Sequence, residues 1–151
     1  MKKVYFYALS ILVIAILANS EAFACSCHYD PTKSTTTLIR DAKKQSAAIF
    51  TGKVLEIIES DEFFNTQVKI KVVSVWKGSL SEEITIFTGR DDGTCRYYFE
   101  IGKTYLVYGR KGGMSNSSEN LETDMCSRTQ LYSSAKNDLR ILGKGSRLLK
   151  N

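Results

Sequence analysis

The chain has 151 residues and a formal net charge of +5, with 43% hydrophobic and 25% charged residues. This composition is typical of one globular domain and excludes an intrinsically disordered chain. The single histidine, His28, excludes a metal site with two or three histidine ligands from one chain. No set of nucleophile, acid and base is visible, so we do not expect an enzyme.

The first 24 residues have the pattern of an export signal. A basic start is followed by an apolar run over 4–18 and by a small-x-small sequence at 22–24. That run is shorter than the roughly 20 residues that cross a bilayer. We therefore predict that residues 1–24 are cleaved, with an uncleaved membrane anchor as the alternative. The mature chain, 25–151, is then expected to be secreted or periplasmic and to contain no transmembrane segment.

Cleavage at that point makes Cys25 the first residue of the mature chain. Bacterial lipoproteins also begin with a lipidated cysteine, but their processing favours a Leu-like residue at −3 and a small residue at −2. Ala22 and Phe23 occupy these positions, and the bulky Phe23 fits poorly. Lipid anchoring through Cys25 is the alternative to a free N-terminus.

All four cysteines follow the predicted signal, at Cys25, Cys27, Cys95 and Cys126. An even number of cysteines in an oxidising compartment indicates disulfide bonds. A bond between Cys25 and Cys27 would close a strained ring, which leaves two pairings, each joining the N-terminus to distant parts of the chain. The alternative is a zinc site made of cysteines and His28, for which the C-x-C spacing is a poor match.

Along the mature chain the hydrophobic pattern predicts mostly strands. Five strands are expected over 47–58, 66–76, 83–88, 104–108 and 121–126, with 97–100 as a further short strand before the fourth, and helices over 34–44 and 132–142. Gly52 and the pair Val72-Val73 indicate bulges, 109–120 is a Gly- and Ser-rich loop, and 144–151 is a basic flexible tail. Five short bulged strands with one or two helices favour a small β-barrel of the OB type, with a β-sandwich as the alternative.

Several motifs, in order along nearly the whole mature chain, resemble the tissue inhibitors of metalloproteinases. They are the Cys25-Ser26-Cys27 start with Pro31 soon after it, the strand at 48–54, Val75-Trp76-Lys77-Gly78, Cys95 before an aromatic stretch, the segment 102–108, and Cys126. The resemblance implies a netrin-like domain over 25–143, mainly β, with a five-stranded OB-fold-like closed barrel and one or two flanking α-helices. It also implies two disulfides, Cys25–Cys95 and Cys27–Cys126.

In that family the first residue inhibits a zinc protease directly. The resemblance implies that the α-amine and the backbone carbonyl of Cys25 chelate the zinc of the target protease and displace its reactive water. An α-amine loses its proton at about pH 7.7–8.0, so a useful fraction is neutral at physiological pH. Ser26 would enter the pocket beside the zinc, where a small hydroxyl implies broad specificity. We call Cys25-Ser26-Cys27 the wedge.

The predicted protease-binding residues surround the wedge. They are Cys25, Ser26, Cys27, His28, Gly93, Thr94 and Cys95. The expected partner is a zinc metalloendopeptidase, whose zinc is the only metal involved, since no intrinsic cofactor is expected. We expect a monomer that does not bind nucleic acid. Animal members of that family carry three disulfides in this domain and have a second domain, whereas this sequence has four cysteines, enough for two disulfides. This difference favours a bacterial single-domain relative.

Two other functional classes remain open at this point. In one, the protein is an exported netrin-like module that binds another protein, free or lipid-anchored, and Cys25 is only a structural staple. In the other, an OB fold binds a polyanion through Lys69, Lys71 and the basic tail, although export and a modest net charge argue against it. Inhibition requires a free Cys25 amine, whereas the module would function with an N-terminal extension.

Overall fold

Seven strands in the described part of the chain belong to one sheet, and five of them close into a ring. The computed structural model describes residues 25–28, 30–60, 65–112 and 120–148, so the predicted signal peptide lies outside the described residues. The strands are β1 (Ala48–Ser60), β2 (Asn65–Lys77), β3 (Glu83–Gly89), β4 (Thr104–Lys111), β5 (Leu121–Glu122), β6 (Gln130–Leu131) and β7 (Ser146–Arg147). The helices are α1 (Thr35–Gln45) and α2 (Lys136–Leu142).

The ring follows from the strand pairing. β1 pairs antiparallel with β2, and β2 pairs antiparallel with β3. β3 runs parallel to β5, β5 pairs antiparallel with β4, and β4 returns to β1. β6 and β7 extend β4 and β2 outside this circuit. The protein is therefore mainly β, as expected, and its described strands belong to one sheet.

Alternate residues of the central strands face two different apolar clusters. One cluster fills the ring with side chains from four strands, including Phe50, Ile70, Ile86 and Val107. The other lies beneath the two helices and contains Ile39, Ile49, Leu106, Tyr108, Ala135 and Leu142. Because successive side chains of a strand point to opposite faces, β1 and β4 contribute to both clusters. This explains why 105–108 is continuously apolar instead of alternating.

The predicted bulge in β2 is confirmed. Thr51 of β1 pairs with Ser74, whereas the next residue, Gly52, pairs with Val72. Val73 is the extra residue, and it is 51% exposed. The bulge lets the buried face of β2 change phase between Val72 and Val75.

One predicted strand is absent and another is shorter than predicted. In both places side chains form hydrogen bonds with backbone groups that would otherwise pair with a neighbouring strand. The segment 97–100 is irregular: Tyr97 N donates to the Thr88 hydroxyl at 2.8 Å and Glu100 N to the Tyr105 hydroxyl at 3.0 Å. The strand predicted over 121–126 ends at Glu122. After it, Asp124 Oδ1 accepts from the backbone N–H groups of Cys126 and Ser127, which turns the chain.

Both predicted helices are present. Ser34 caps α1 by accepting from Thr37 N at 3.2 Å. At the other end, Lys77 Nζ donates to the carbonyl oxygens of Lys43 and Lys44 at 2.8 and 3.1 Å, where a cation is favourable. The second prediction, 132–142, contains a 3₁₀ turn over Tyr132–Ser134 before α2 begins.

The sequence predicts a flexible tail from Lys144 onward. In the structure, however, part of this segment pairs with the sheet. Ser146 and Arg147 form β7 opposite Ser74 and Val75 of β2. The Ser146 hydroxyl also donates to the Val75 carbonyl oxygen at 3.0 Å. Residues 149–151 lie outside the described residues. No helix in the described ranges combines the length and apolar character that a membrane span requires.

Candidate functional site

Two disulfides fasten the wedge to the body of the protein. Cys25 is bonded to Cys95 and Cys27 to Cys126, with Cα–Cα distances of 5.4 and 5.1 Å. This is the pairing that the family resemblance implies. Ser26 lies exposed between the two anchored residues. A three-residue segment is thus held at both ends, with its middle side chain open to solvent.

The turn that carries Cys95 is fixed by its own hydrogen bonds. Asp91 Oδ1 accepts from the backbone N–H of Thr94 at 3.0 Å and from its hydroxyl at 3.1 Å. The Asp91 carbonyl oxygen accepts from Thr94 N and Arg96 N, both at 3.1 Å. Cys95 then adopts φ +58°, an uncommon conformation for a residue other than glycine. Gly93 and Thr94 form an exposed ridge on this turn.

A second turn, over residues 124–127, holds the other disulfide next to the first. Met125 N donates to the Cys95 carbonyl oxygen at 3.0 Å, which joins the two turns directly. The buried Asp124 pairs with Arg110 at 2.7 Å. The sulfur atoms of Cys25, Cys95 and Cys126 all lie within 4.8 Å of one another. Met125 is 49% exposed, so an apolar side chain stands beside the wedge.

An aromatic cluster anchors the chain that leaves Cys95. Tyr97 and Phe99 have ring centroids 4.7 Å apart, and Phe99 lies 4.8 Å from the ring of Tyr105 in β4. Burial raises the pKa of Tyr97 to about 12, so its hydroxyl stays neutral at physiological pH. The Cys95 turn is therefore attached to the apolar core on one side and to the wedge on the other.

His28 lies at a small cleft that continues from the wedge. The cleft has a volume of about 310 Å³, and Tyr108, Arg110 and Arg128 are among the residues that line it. Behind it, Asp138 accepts from the Tyr108 hydroxyl at 2.7 Å and from Arg128 Nε and Nη2 at 2.9 and 2.8 Å. We call Tyr108, Arg128 and Asp138 the buried triad.

The hydrogen bonds of the buried triad determine its charge state. Desolvation by itself would raise the pKa of Asp138, but the hydrogen bonds from Arg128 and Tyr108 outweigh it and hold that pKa below the usual range. Burial, with the hydrogen bond to the Asp138 carboxylate, raises the pKa of Tyr108 well above its ordinary value. The triad is therefore an ion pair with a neutral phenol, and it supports the wall beside His28.

The structure brings the predicted site residues together in two neighbouring segments. Ser26, Cys27 and His28 form one exposed strip that follows the half-buried Cys25. The ridge of Gly93 and Thr94 lies beside it, with the half-buried Cys95 at its end. Sequence reasoning missed the contributions of Asp91, Asp124 and Met125. Asp91 to Thr94 reads Asp-Asp-Gly-Thr, a turn signal that could have indicated the ridge's hydrogen bonds. No sequence signal places Met125 against Cys95, because they are 30 residues apart and meet only in the fold.

Two alternative sites lose support from the geometry. All four cysteine sulfurs are in disulfide bonds, so they offer no thiolate for a zinc site with His28. Lys69 and Lys71, expected in a polyanion site, pair with Glu83 at 3.0 Å and with Glu82 at 3.4 Å. Acidic neighbours at these distances offset the positive field that a polyanion would need.

Gly89→Ala is expected to displace the ridge. A Cβ at Gly89 would lie 2.6 Å from the Thr94 hydroxyl oxygen and 2.8 Å from its carbonyl carbon, so the turn must move. We expect a loss of about 2 kcal/mol in the free energy of unfolding, measured by urea denaturation. Gly109→Ala is the matched control, since its Cβ would find no atom closer than 3.5 Å. Equal losses in the two variants would contradict the close approach of Thr94.

No known family model and no curated protein matches this chain. The resemblance to the metalloproteinase inhibitors therefore stays a prediction that rests on the ordered motifs.

Proposed function

We propose that the protein is an exported inhibitor of zinc metalloendopeptidases, related to the tissue inhibitors of metalloproteinases, with a netrin-like OB-fold barrel. The observation that carries the proposal is the double anchoring of an exposed wedge. Cys25 and Cys27 are each bonded to a separate surface turn, and Ser26 is exposed between them. The ring of five strands and the two disulfides are compatible with this fold and with an oxidising compartment.

The wedge has the chemistry that chelation of a partner's zinc requires. After cleavage before Cys25, its α-amine and carbonyl oxygen would be two neighbouring ligands that close a five-membered ring on the metal. The disulfide to Cys95 withdraws the Cys25 sulfur from competition for that metal. The chain supplies the ligands, and the zinc belongs to the protease.

Rigidity is the second physical argument. A flexible N-terminal peptide loses conformational entropy when it enters an active site, and a preorganised one avoids most of that cost. Here two disulfides and the hydrogen bond from Met125 N to the Cys95 carbonyl oxygen fix the wedge before binding. Thr94 and Met125, on the two supporting turns, would contact the protease on either side of Ser26.

A one-residue N-terminal extension tests the proposal. We expect protein that begins at Cys25 to inhibit zinc metalloendopeptidases. An Ala-extended form should be weaker by about 100-fold or more, because the Cys25 nitrogen becomes an amide that cannot donate to zinc, and losing even an outer-shell partner of a metal costs about 10–100-fold. The measurement is the inhibition constant against a panel of such proteases. Intact mass before and after reduction, with a rise of about 4 Da for two disulfides, confirms that both forms are equally oxidised.

A C-terminal alanine extension is the matched control and should leave inhibition unchanged. Inhibition should also weaken as the pH falls below about 7.7, because the protonated amine cannot donate to zinc. Equal potency of the native and Ala-extended forms would contradict the wedge mechanism. A lipid-modified Cys25, or no inhibition of any protease in the panel, would favour the exported protein-binding module instead.

A further inference from the structure

A groove distinct from the wedge lies between the bulge of β2, α2 and the C-terminal segment. Its volume is about 1100 Å³, and Trp76 lies among the residues that line it. Val73 and Tyr132, each 51% exposed, contribute apolar surface to its walls. None of the wedge or ridge residues lines it. We call this surface the tryptophan groove.

The indole of Trp76 is held in place by the C-terminal segment. Its Nε1 donates to the Gly143 carbonyl oxygen at 2.7 Å. Gly145 lies directly against the ring, since a Cβ at that position would be 2.8 Å from Trp76 Cε2 and 3.0 Å from Cζ2. The pairing of β7 with β2 secures the same segment on its far side. The groove thus has a fixed aromatic surface that stays partly exposed.

The charge at the groove has one sign. Lys144 and Arg147 line it and are exposed, and neither forms an ion pair with a residue in the described ranges. Among the described residues that line the groove there is no Asp or Glu. This differs from the outer face of β2, where Lys69 and Lys71 have acidic partners. Two cations without a described acidic partner favour an anionic ligand, and the partly exposed indole beside them favours a ligand that also has an apolar part.

We propose that the tryptophan groove binds an acidic peptide segment of a partner protein, with one large apolar side chain packed on Trp76. Aspartate or glutamate residues flanking that side chain would pair with Lys144 and Arg147. Hydroxyl groups of Thr104 and Ser74, which also line the groove, can bond to the peptide backbone. A polyanion without apolar groups would leave Val73, Tyr132 and the indole uncovered, so the lining favours a peptide.

The single tryptophan of the chain makes the groove directly observable. We would titrate the oxidised protein with the capped peptide Asp-Glu-Phe-Asp-Glu and follow the fluorescence of Trp76, with calorimetry in parallel. A saturable fluorescence change accompanied by heat is expected. Lys144→Glu combined with Arg147→Glu should weaken binding about tenfold or more, because both cationic contacts become repulsive. Tyr132→Ala, which removes an apolar wall at an exposed position, should also weaken it about tenfold.

The matched control is Arg40→Glu combined with Lys43→Glu, which changes the net charge equally on exposed positions of α1, outside the groove. It should bind like the unmodified protein, and so should the Ala-extended form, because the groove does not depend on the wedge. The proposal is overturned if neither fluorescence nor heat responds to the peptide. It is also overturned if Asp-Glu-Ser-Asp-Glu or polyglutamate binds equally well, which would assign the groove to polyanions, or if the control loses as much affinity as the groove variant.

Discussion

Replacement of both Cys25 and Cys95 with serine is expected to lower the free energy of unfolding by about 4 kcal/mol. The bond joins residues 70 positions apart, so it restricts a large part of the unfolded chain. In the folded state, the N-terminus would remain attached only through Cys27. Urea denaturation of the oxidised variant, compared with the unmodified protein, measures the loss.

Replacement of both Cys27 and Cys126 with serine gives the matching measurement for the second disulfide. Its separation of 99 residues is larger, but either bond adds to the other the same loop, made of the stretches from Cys25 to Cys27 and from Cys95 to Cys126, so replacing this pair should cost about the same 4 kcal/mol. A much smaller loss for either pair would indicate that the remaining disulfide by itself already restricts the unfolded chain almost fully. If the wedge inhibits proteases as proposed, the Cys25 and Cys95 variant should also lose inhibition at temperatures where it stays folded.

Asp138→Asn is expected to lower the free energy of unfolding by about 3 kcal/mol at neutral pH, the lower end of the range for breaking a buried ion pair. Asp138 is 2% exposed and accepts hydrogen bonds from both other members of the buried triad. Its amide replacement would leave the Arg128 guanidinium without a counterion, although that side chain, 28% exposed, recovers some hydration. Chemical denaturation near pH 7 measures the difference.

The same variant should change how stability depends on pH. The folded-state pKa of Asp138 lies below its ordinary value, so its contribution to stability is present above the unfolded pKa and is lost as the pH falls through the folded one. The gap between the unmodified protein and Asp138→Asn should therefore narrow as the pH falls from the ordinary aspartate pKa of about 3.9 through the lower folded-state pKa. A gap that stays constant over this interval would mean that the carboxylate's charge does not stabilise the fold.

Asp41→Asn is the control for that experiment. Asp41 pairs with Lys33 at 2.8 Å, but both side chains are substantially exposed, so water compensates the loss of the pair. Little change in stability is expected from this substitution at neutral pH. A loss comparable to that of Asp138→Asn would contradict the assignment of the stabilisation to burial.

Much of the fold could be predicted because local patterns and tertiary packing agree. The long strands, both helices and the bulge at Val73 follow from alternation, capping residues and a doubled apolar position. Prediction failed where side chains compete with the backbone. Thr88 and Tyr105 accept from the segment 97–100, and Asp124 turns the chain after Glu122. The apolar periodicity of a segment does not report such side-chain hydrogen bonds, even where the partners are only two or three residues apart, as at Asp124.

The residues proposed for the candidate site could be named from the sequence, but the contacts that hold them in place could not. The even number of cysteines in the sequence indicated disulfide bonds, whereas their pairing and the role of the wedge were expected only from the family resemblance. The tertiary structure alone places the Met125 turn on Cys95, closes the buried triad behind His28 and sets Lys144 and Arg147 beside Trp76. The sequence by itself determined which strands, helices and reactive groups form, because these depend on residues near one another in the chain. Only the tertiary structure decided which of them meet, because contacts between distant residues depend on ring closure and packing.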